Sequence, residues 1–197
     1  IDVGCGEGQV ARVAAAVGLD VLGVDPAQSQ IDVAVRRGGG PRYRKGSAVD
    51  LPAGDGAADV AIACLVFEHI ADLDAALAEV ARVLRPGGRF LFLLNHPLLQ
   101  TPGSGWIDDQ VLDPPEQYWR IGPYLREAET IEEVEKDVFI RFFHRPLSRY
   151  LNAAHDAGLV LERMEEPAPP PGFLARAEEY ADAASVPRLL LLRFTRT

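Results

Sequence analysis

The sequence predicts an α/β fold: a mostly parallel sheet with helices on both faces. Short apolar runs alternate with amphipathic stretches of helix length through the first 95 residues, the order that βαβ units produce. Glycine- or proline-rich breaks close most of these elements. At 197 residues, the chain is long enough for one domain with its own core.

Residues 1–3 read as the end of a first strand that runs straight into a glycine-rich turn. No Met precedes Ile1, so an N-terminal segment is expected to be missing. Val10, Val13, Ala14 and Val17 follow the i, i+3, i+4, i+7 spacing of a helix, and Gly18 stops it. Residues 21–24 form a short buried-type strand. Pro26 then sits at the first position of a helix, where its missing N–H costs nothing. That helix runs to about residue 37 and ends at three glycines, with Tyr43 in a third strand beyond. Residues 59–65 make an apolar fourth strand. Leu73, Leu77, Val80 and Leu84 mark a helix that Pro86-Gly87-Gly88 ends, and residues 89–94 make a fifth strand.

The second half breaks this rhythm. Residues 96–137 show no clean period and hold both tryptophans. A segment this long in a compact domain is expected to be a functional lid. We therefore read a single domain over 1–197, with residues 96–145 inserted as a lid that binds substrate. Residues 138–143 read as a strand, and 147–157 as a helix closed by Gly158. Residues 159–164 and 189–194 are expected to pair antiparallel.

Composition narrows the partners. The formal net charge is −9, from 29 acids against 20 bases, and residues 98–137 alone carry −7. A polyanion would be repelled there and no basic stripe exists elsewhere, so a small-molecule or protein substrate is expected and no nucleic acid. The competing reading of the acidic segment is a solvated surface. No apolar run approaches the roughly 20 residues that span a bilayer. The two cysteines, Cys5 and Cys64, are too few for a disulfide framework, so a cytoplasmic location is expected. No cluster of further ligands beside them points to a metal. The sequence leaves oligomeric state open.

The sharpest motif is Asp2-Val3-Gly4-Cys5-Gly6-Glu7-Gly8, between a strand and a helix. Glycines at this density let main chain approach a ligand closely. A dinucleotide fingerprint, G-x-G-x-x-G, would need Gly or Ala at position 9, where Gln9 stands. A loop around a ligand without phosphates fits better, and a nicotinamide-dependent oxidoreductase is disfavoured. Asp25 ends the second strand, where an ionised carboxylate can accept from both ribose hydroxyls. It can also cap the next helix. After the third strand, Val49 N–H and the Asp50 carboxylate can meet an adenine edge.

These motifs, with residues 59–65 followed by Glu68-His69, and with Leu84-Arg85-Pro86-Gly87-Gly88, together resemble a class I S-adenosylmethionine-dependent methyltransferase of the small-molecule type. The likeness covers residues 1–95. His144–Tyr150 is similar to a segment of uncharacterised bacterial methyltransferases. The resemblance implies a Rossmann-like seven-stranded sheet with its last strand antiparallel, and S-adenosylmethionine as cofactor. It further implies that Asp2, Gly4, Cys5, Gly6 and Gly8 face the methionine part, and Asp25 with Pro26 the ribose. Val49, Asp50 and Leu51 would meet the adenine, while Cys64, Leu65 and Phe67 border the sulfonium.

The implied reaction is in-line methyl transfer to oxygen, nitrogen or carbon of a small acceptor. A non-catalytic S-adenosylmethionine-binding partner subunit is the alternative. Positioning two reactants supplies roughly 7–11 kcal/mol of such a barrier. A general base adds about 10²–10⁴-fold where the acceptor is an alcohol or phenol. Imidazole titrates near neutrality, so His96, after the fifth strand, and His144, before Pro146, are the candidate bases. His69, Trp106, Tyr118, Trp119 and Tyr124 are candidates for the acceptor pocket. Packing of those rings between lid and sheet is the competing reading.

Overall fold

The computed structural model describes residues 1–176 and 182–197. Eleven strands are present among the described residues, and seven of them form the central sheet. Strands β1 (Asp2–Val3), β2 (Leu22–Asp25), β3 (Arg42–Lys45), β4 (Ala58–Cys64) and β5 (Leu84–Asn95) are mutually parallel neighbours in the order β5-β4-β1-β2-β3. The sheet then extends past β5 through β11 (Leu189–Arg196) to β10 (Leu159–Glu165). β11 runs antiparallel to both neighbours. This is the predicted seven-stranded architecture with its last strand reversed.

Helices cover both faces. Along β4, Ala61 and Ala63 join the main core while Ile62, on the opposite face, packs beside Ala11 and Ala14 of α1 (Gln9–Ala16). That alternation is the period-2 geometry of a strand. On the main-core face lie α3 (Leu73–Val83) and α4 (Leu147–Asp156). They bury Leu73, Leu77, Val80 and Tyr150 against Phe90, Phe92 and Phe194. Helix α2 (Gln28–Arg37) packs on β2 and β3. No helix among the described residues is long and apolar enough to cross a membrane.

The segment 96–137 differs from its reading as an aperiodic lid. It holds a hairpin, β6 (Gly105–Asp109) with β7 (Glu116–Arg120), and the strand β8 (Ala128–Glu135), which pairs with β9 (Val138–His144). Neither hairpin joins the central sheet. Their strands are short or rich in glutamate, which has weak strand preference. The alternation that would reveal them is therefore faint in the sequence. Trp106 and Trp119 are cross-strand partners, their rings edge to face at 5.6 Å, and such pairs hold a hairpin together. A four-residue helix, α5 (Pro171–Leu174), sits in the connector read as turn-rich.

Candidate functional site

The carboxyl ends of β1 to β4 open into one cavity of about 770 Å³. Such a place suits a ligand, because the chain steps from β1 outward to β3 and then returns to β1's other side as β4. The volume lies within the usual range of ligand pockets.

The turn after β1 is tied to β2. Gly4 and Cys5 N–H both donate to the Val24 carbonyl, at 2.8 and 2.9 Å. Gly6 N–H donates to Asp25 Oδ2 at 2.9 Å, and Ala27 N–H to Asp25 Oδ1 at 2.9 Å. The Asp25 carboxylate is thus held by two main-chain donors at the cavity wall. A carboxylate offers about four acceptor positions, so room remains for two hydroxyls. Gly4 and Gly6 have φ of +70° and +49°, which disfavours any side chain. At Gly4 a Cβ would run into Val66, whereas at Gly6 it would enter nearly open space, with only Gln30 Oε1 at 3.8 Å.

After β3, Gly46, Ser47, Ala48 and Val49 form the next part of the wall. Val49 N–H donates to the Ser47 hydroxyl at 3.3 Å. This loop is anchored from behind: Leu51 N–H donates to Glu79, and Arg82 bonds Glu79, Asp55 and the carbonyls of Leu51 and Ala53. After β4, Leu65, Val66 and the stretch from His69 to Asp72 close the far side, joined by Ile140 from β9. Leu65 has φ +57°, a left-handed conformation that costs a leucine roughly 1–2 kcal/mol.

The far wall is braced by buried polar groups. Glu68 Oε1 accepts from Asn95 N–H and Nδ2, at 3.3 and 2.9 Å, and burial raises its carboxyl above the ordinary range. Arg145 is buried and donates to the carbonyls of Phe67, Ile70 and Ala71, at 3.3, 2.7 and 2.8 Å. It thereby fixes the turn over Phe67–His69 to the start of α4.

Of the expected cofactor residues, Gly4, Gly6, Asp25, Pro26, Val49 and Leu65 line the cavity. Asp2, Cys5, Gly8, Asp50, Leu51, Cys64 and Phe67 do not. Cys5 is buried behind the turn toward β2, where burial pushes its thiol up to about 12. Gly8 is shielded by the Tyr43 ring. Phe67 stacks in the core with Phe90 and Phe92, and Leu51 is core as well. Asp50 is exposed, and Cys64 is a half-buried free thiol.

The histidines separate, and the one expected at the acceptor pocket is the one that reaches the cavity. His69 lines the cavity. His96 and His144 do not. Both rings are buried and bonded elsewhere: His96 Nε2 to Glu166 at 2.9 Å, with its Nδ1 accepting from Leu98 N–H, and His144 Nε2 to the Tyr124 carbonyl at 2.8 Å. Trp106, Tyr118, Trp119 and Tyr124 also lie outside the cavity lining; the Tyr124 hydroxyl accepts from Leu147 N–H and ties the lid to α4. Sequence reasoning missed Gln30, Ile70, Asp72 and Ile140, while Val66 lies within the stretch from Cys64 to Phe67 expected at the sulfonium. Ile70 and Asp72 follow the Glu68-His69 motif and were within its reach, but nothing local places Ile140 opposite them.

Asp2 gives a test independent of any ligand. It is 2 % exposed, its Oδ2 has no partner, and burial raises its carboxyl to about 6. An acid whose folded value is raised destabilises the fold once ionised. That cost is absent below the ordinary 3.8, grows through the window up to about 6 and is full above it. It amounts to about 3 kcal/mol at most. Asp2→Asn should therefore melt a few degrees higher than the parent at neutral pH and show no gain below pH 3.8. Melting curves across that window check it.

The residues present fit an adenosyl sulfonium. The wall offers bare main chain, the Asp25 carboxylate with free acceptor positions, apolar side chains and a second acid, Asp72, and among the described residues no Lys or Arg lines it to repel a cation. Residues 1–92 match the family model described as a methyltransferase domain. A malonyl-[acyl-carrier protein] O-methyltransferase of Serratia marcescens is 39% identical over 107 residues, which are 54% of this chain and 42% of that protein. A ubiquinone biosynthesis O-methyltransferase of Sinorhizobium medicae is 36% identical over 50% of this chain and 42% of its own length. The chain thus spans about two fifths of these curated relatives. An S-adenosylmethionine-dependent methyltransferase of Mesorhizobium loti shares the fold with a TM-score of 0.84 and 27% identity, over 99% of this chain and 89% of its own. Residues 1–92 are thus similar to a methyltransferase domain, and the chain shares its fold over nearly its whole length with an S-adenosylmethionine-dependent methyltransferase.

Proposed function

We propose that the chain transfers a methyl group from S-adenosylmethionine to a small-molecule acceptor, in the cytoplasm, with residues 96–145 acting as the substrate-side lid. The observation that carries this reading is the continuity of the cavity. The same cavity is lined by Gly4, Gly6 and Asp25, the residues read as holding the cofactor, and by the apolar side chains of Val66, Ile70 and Ile140. S-adenosylmethionine supplies, when bound, a methyl group on a positively charged sulfur. Asp25 holds the ribose and the glycine turn the methionine part, while Val66, Ile70 and Ile140 exclude water from the reacting end. A dry pocket helps because charge is neutralised on the way to the transition state.

The O-methyltransferases among the relatives favour oxygen as the acceptor atom. The apolar pocket on the acceptor side argues against a purely structural partner subunit, which would have that space filled. Calorimetry tests the reading: S-adenosylhomocysteine should bind and NAD should not. Binding of NAD alone would replace it with the oxidoreductase reading.

A further inference from the structure

We propose that the chain self-associates as a two-fold dimer through the outer edge of β10, which pairs antiparallel with β10 of a second copy. The proposal stands independently of the reading of the cavity.

The central sheet has two outermost strands, β3 and β10. Each bonds a sheet neighbour on one side only and leaves a row of main-chain N–H and C=O groups on the other. Such an edge is a template for another chain unless something blunts it. β3 is blunted. It reads Arg42-Tyr43-Arg44-Lys45, with its three bases exposed, and pairing this strand with itself sets like charges against one another. β10 is different. It is exposed at every residue after Leu159, and its apolar Val160, Leu161 and Met164 are 44, 39 and 38 % exposed. Among the described residues no strand lies on its outer side.

A bulge shapes this edge. The register between β10 and β11 shifts between Leu161 and Arg163. Leu161 then stands opposite Phe194 and Met164 opposite Leu192, so both continue the face that β11 turns to the core. An unbroken strand would send residues three apart to opposite faces. The other face carries charge. Arg163 stands opposite Arg193, and Glu162 accepts from Arg193 Nε at 3.0 Å. Arg163 Nε lies 2.6 Å from Glu165.

These positions are self-complementary. With the two-fold axis between residues 162 and 163, Leu161 faces Met164 of the second copy and Glu162 faces its Arg163. Each pair occurs twice, and the members of each pair share a face. A shift of one residue either way sets Glu162 against Glu162 or Arg163 against Arg163. An isologous contact of this kind closes at two copies. The ribbon is short, so the association belongs with weak, reversible interfaces. Because β11 and β5 separate β10 from β4, the cavity at the ends of β1 to β4 stays open in both copies.

Sedimentation equilibrium on the whole chain tests this. The parent mass should rise from 21.4 kDa toward twice that value as concentration goes from low micromolar to submillimolar. Leu161→Glu and Met164→Lys, made singly, should each weaken association by about 10-fold or more, because each change counts twice across the axis. Carried together on one chain, they set the new acid against the new base and should restore it. Both side chains are exposed, so circular dichroism should stay that of the parent. Arg163→Glu, at a side chain 63 % exposed, gives a second route that leaves the apolar positions alone. It sets acid against acid across the axis, and the association it loses should partly return at high salt. A parent that stays monomeric throughout, single variants that associate like the parent, or a folded double variant that stays monomeric would overturn the proposal.

Discussion

Gly6→Val is expected to weaken S-adenosylhomocysteine binding by at least about 100-fold, or about 2.7 kcal/mol, while far-UV circular dichroism stays that of the parent. A Cβ at Gly6 meets almost nothing in the protein itself, so the added side chain occupies ligand space rather than core. The fold bears only the strain of a β-branched residue at φ +49°, about 1–2 kcal/mol, and should melt a few degrees lower. Gly4 and Gly8 are poorer probes, because a Cβ there collides with Val66 or Tyr43 and confounds folding with binding. Gly6→Val protein that folds and binds normally would remove the glycine turn from the site.

The second large effect is at Asp25. Asp25→Ala is expected to weaken S-adenosylhomocysteine binding by about 1–3 kcal/mol, roughly 5–150-fold. It should also lower the melting temperature, since Gly6 and Ala27 N–H both lose their acceptor. Asp25→Asn separates the two effects. Its carbonyl oxygen keeps one main-chain bond, but its amide presents donors where the ribose hydroxyls need acceptors. It should therefore lose affinity nearly as much as Asp25→Ala while losing less stability. Calorimetry and thermal melts on the two variants check this. Parent-like affinity in both would leave Asp25 a structural anchor of the turn and nothing more.

The legible part of this protein is the part built from local rules. The glycine turn and the acid at the end of β2 are fixed by short-range geometry, so their residues could be read directly, whereas Leu84 and Pro86-Gly87-Gly88, read as the end of a helix and its break, lie within β5. The sheet order followed from alternating strands and helices. The lid resisted for a physical reason: strands such as Ala128–Glu135 have a polar outer face and weak propensity, and they are set by pairing with β9 rather than by their own composition. The histidines show the same limit. Sequence position ranked His96 and His144 above His69 as bases, yet only His69 of the three lines the cavity. What distinguishes them is burial and the partner of each ring nitrogen, which depends on Arg141, Glu166 and Tyr124, each remote in sequence from the ring it meets. Phe67 sits two residues from His69 yet faces the core, because the turn between them rotates one side chain inward and the other toward the cavity.

A crystal structure with S-adenosylhomocysteine bound to the whole chain tests the central claim most directly. The account predicts both ribose hydroxyls within hydrogen-bond distance of the Asp25 carboxylate, the methionine part against Gly4 and Gly6, and the sulfur facing the pocket of Val66, Ile70 and Ile140. A nucleoside seated away from Asp25, or one whose sulfur faces away from His69, would contradict it.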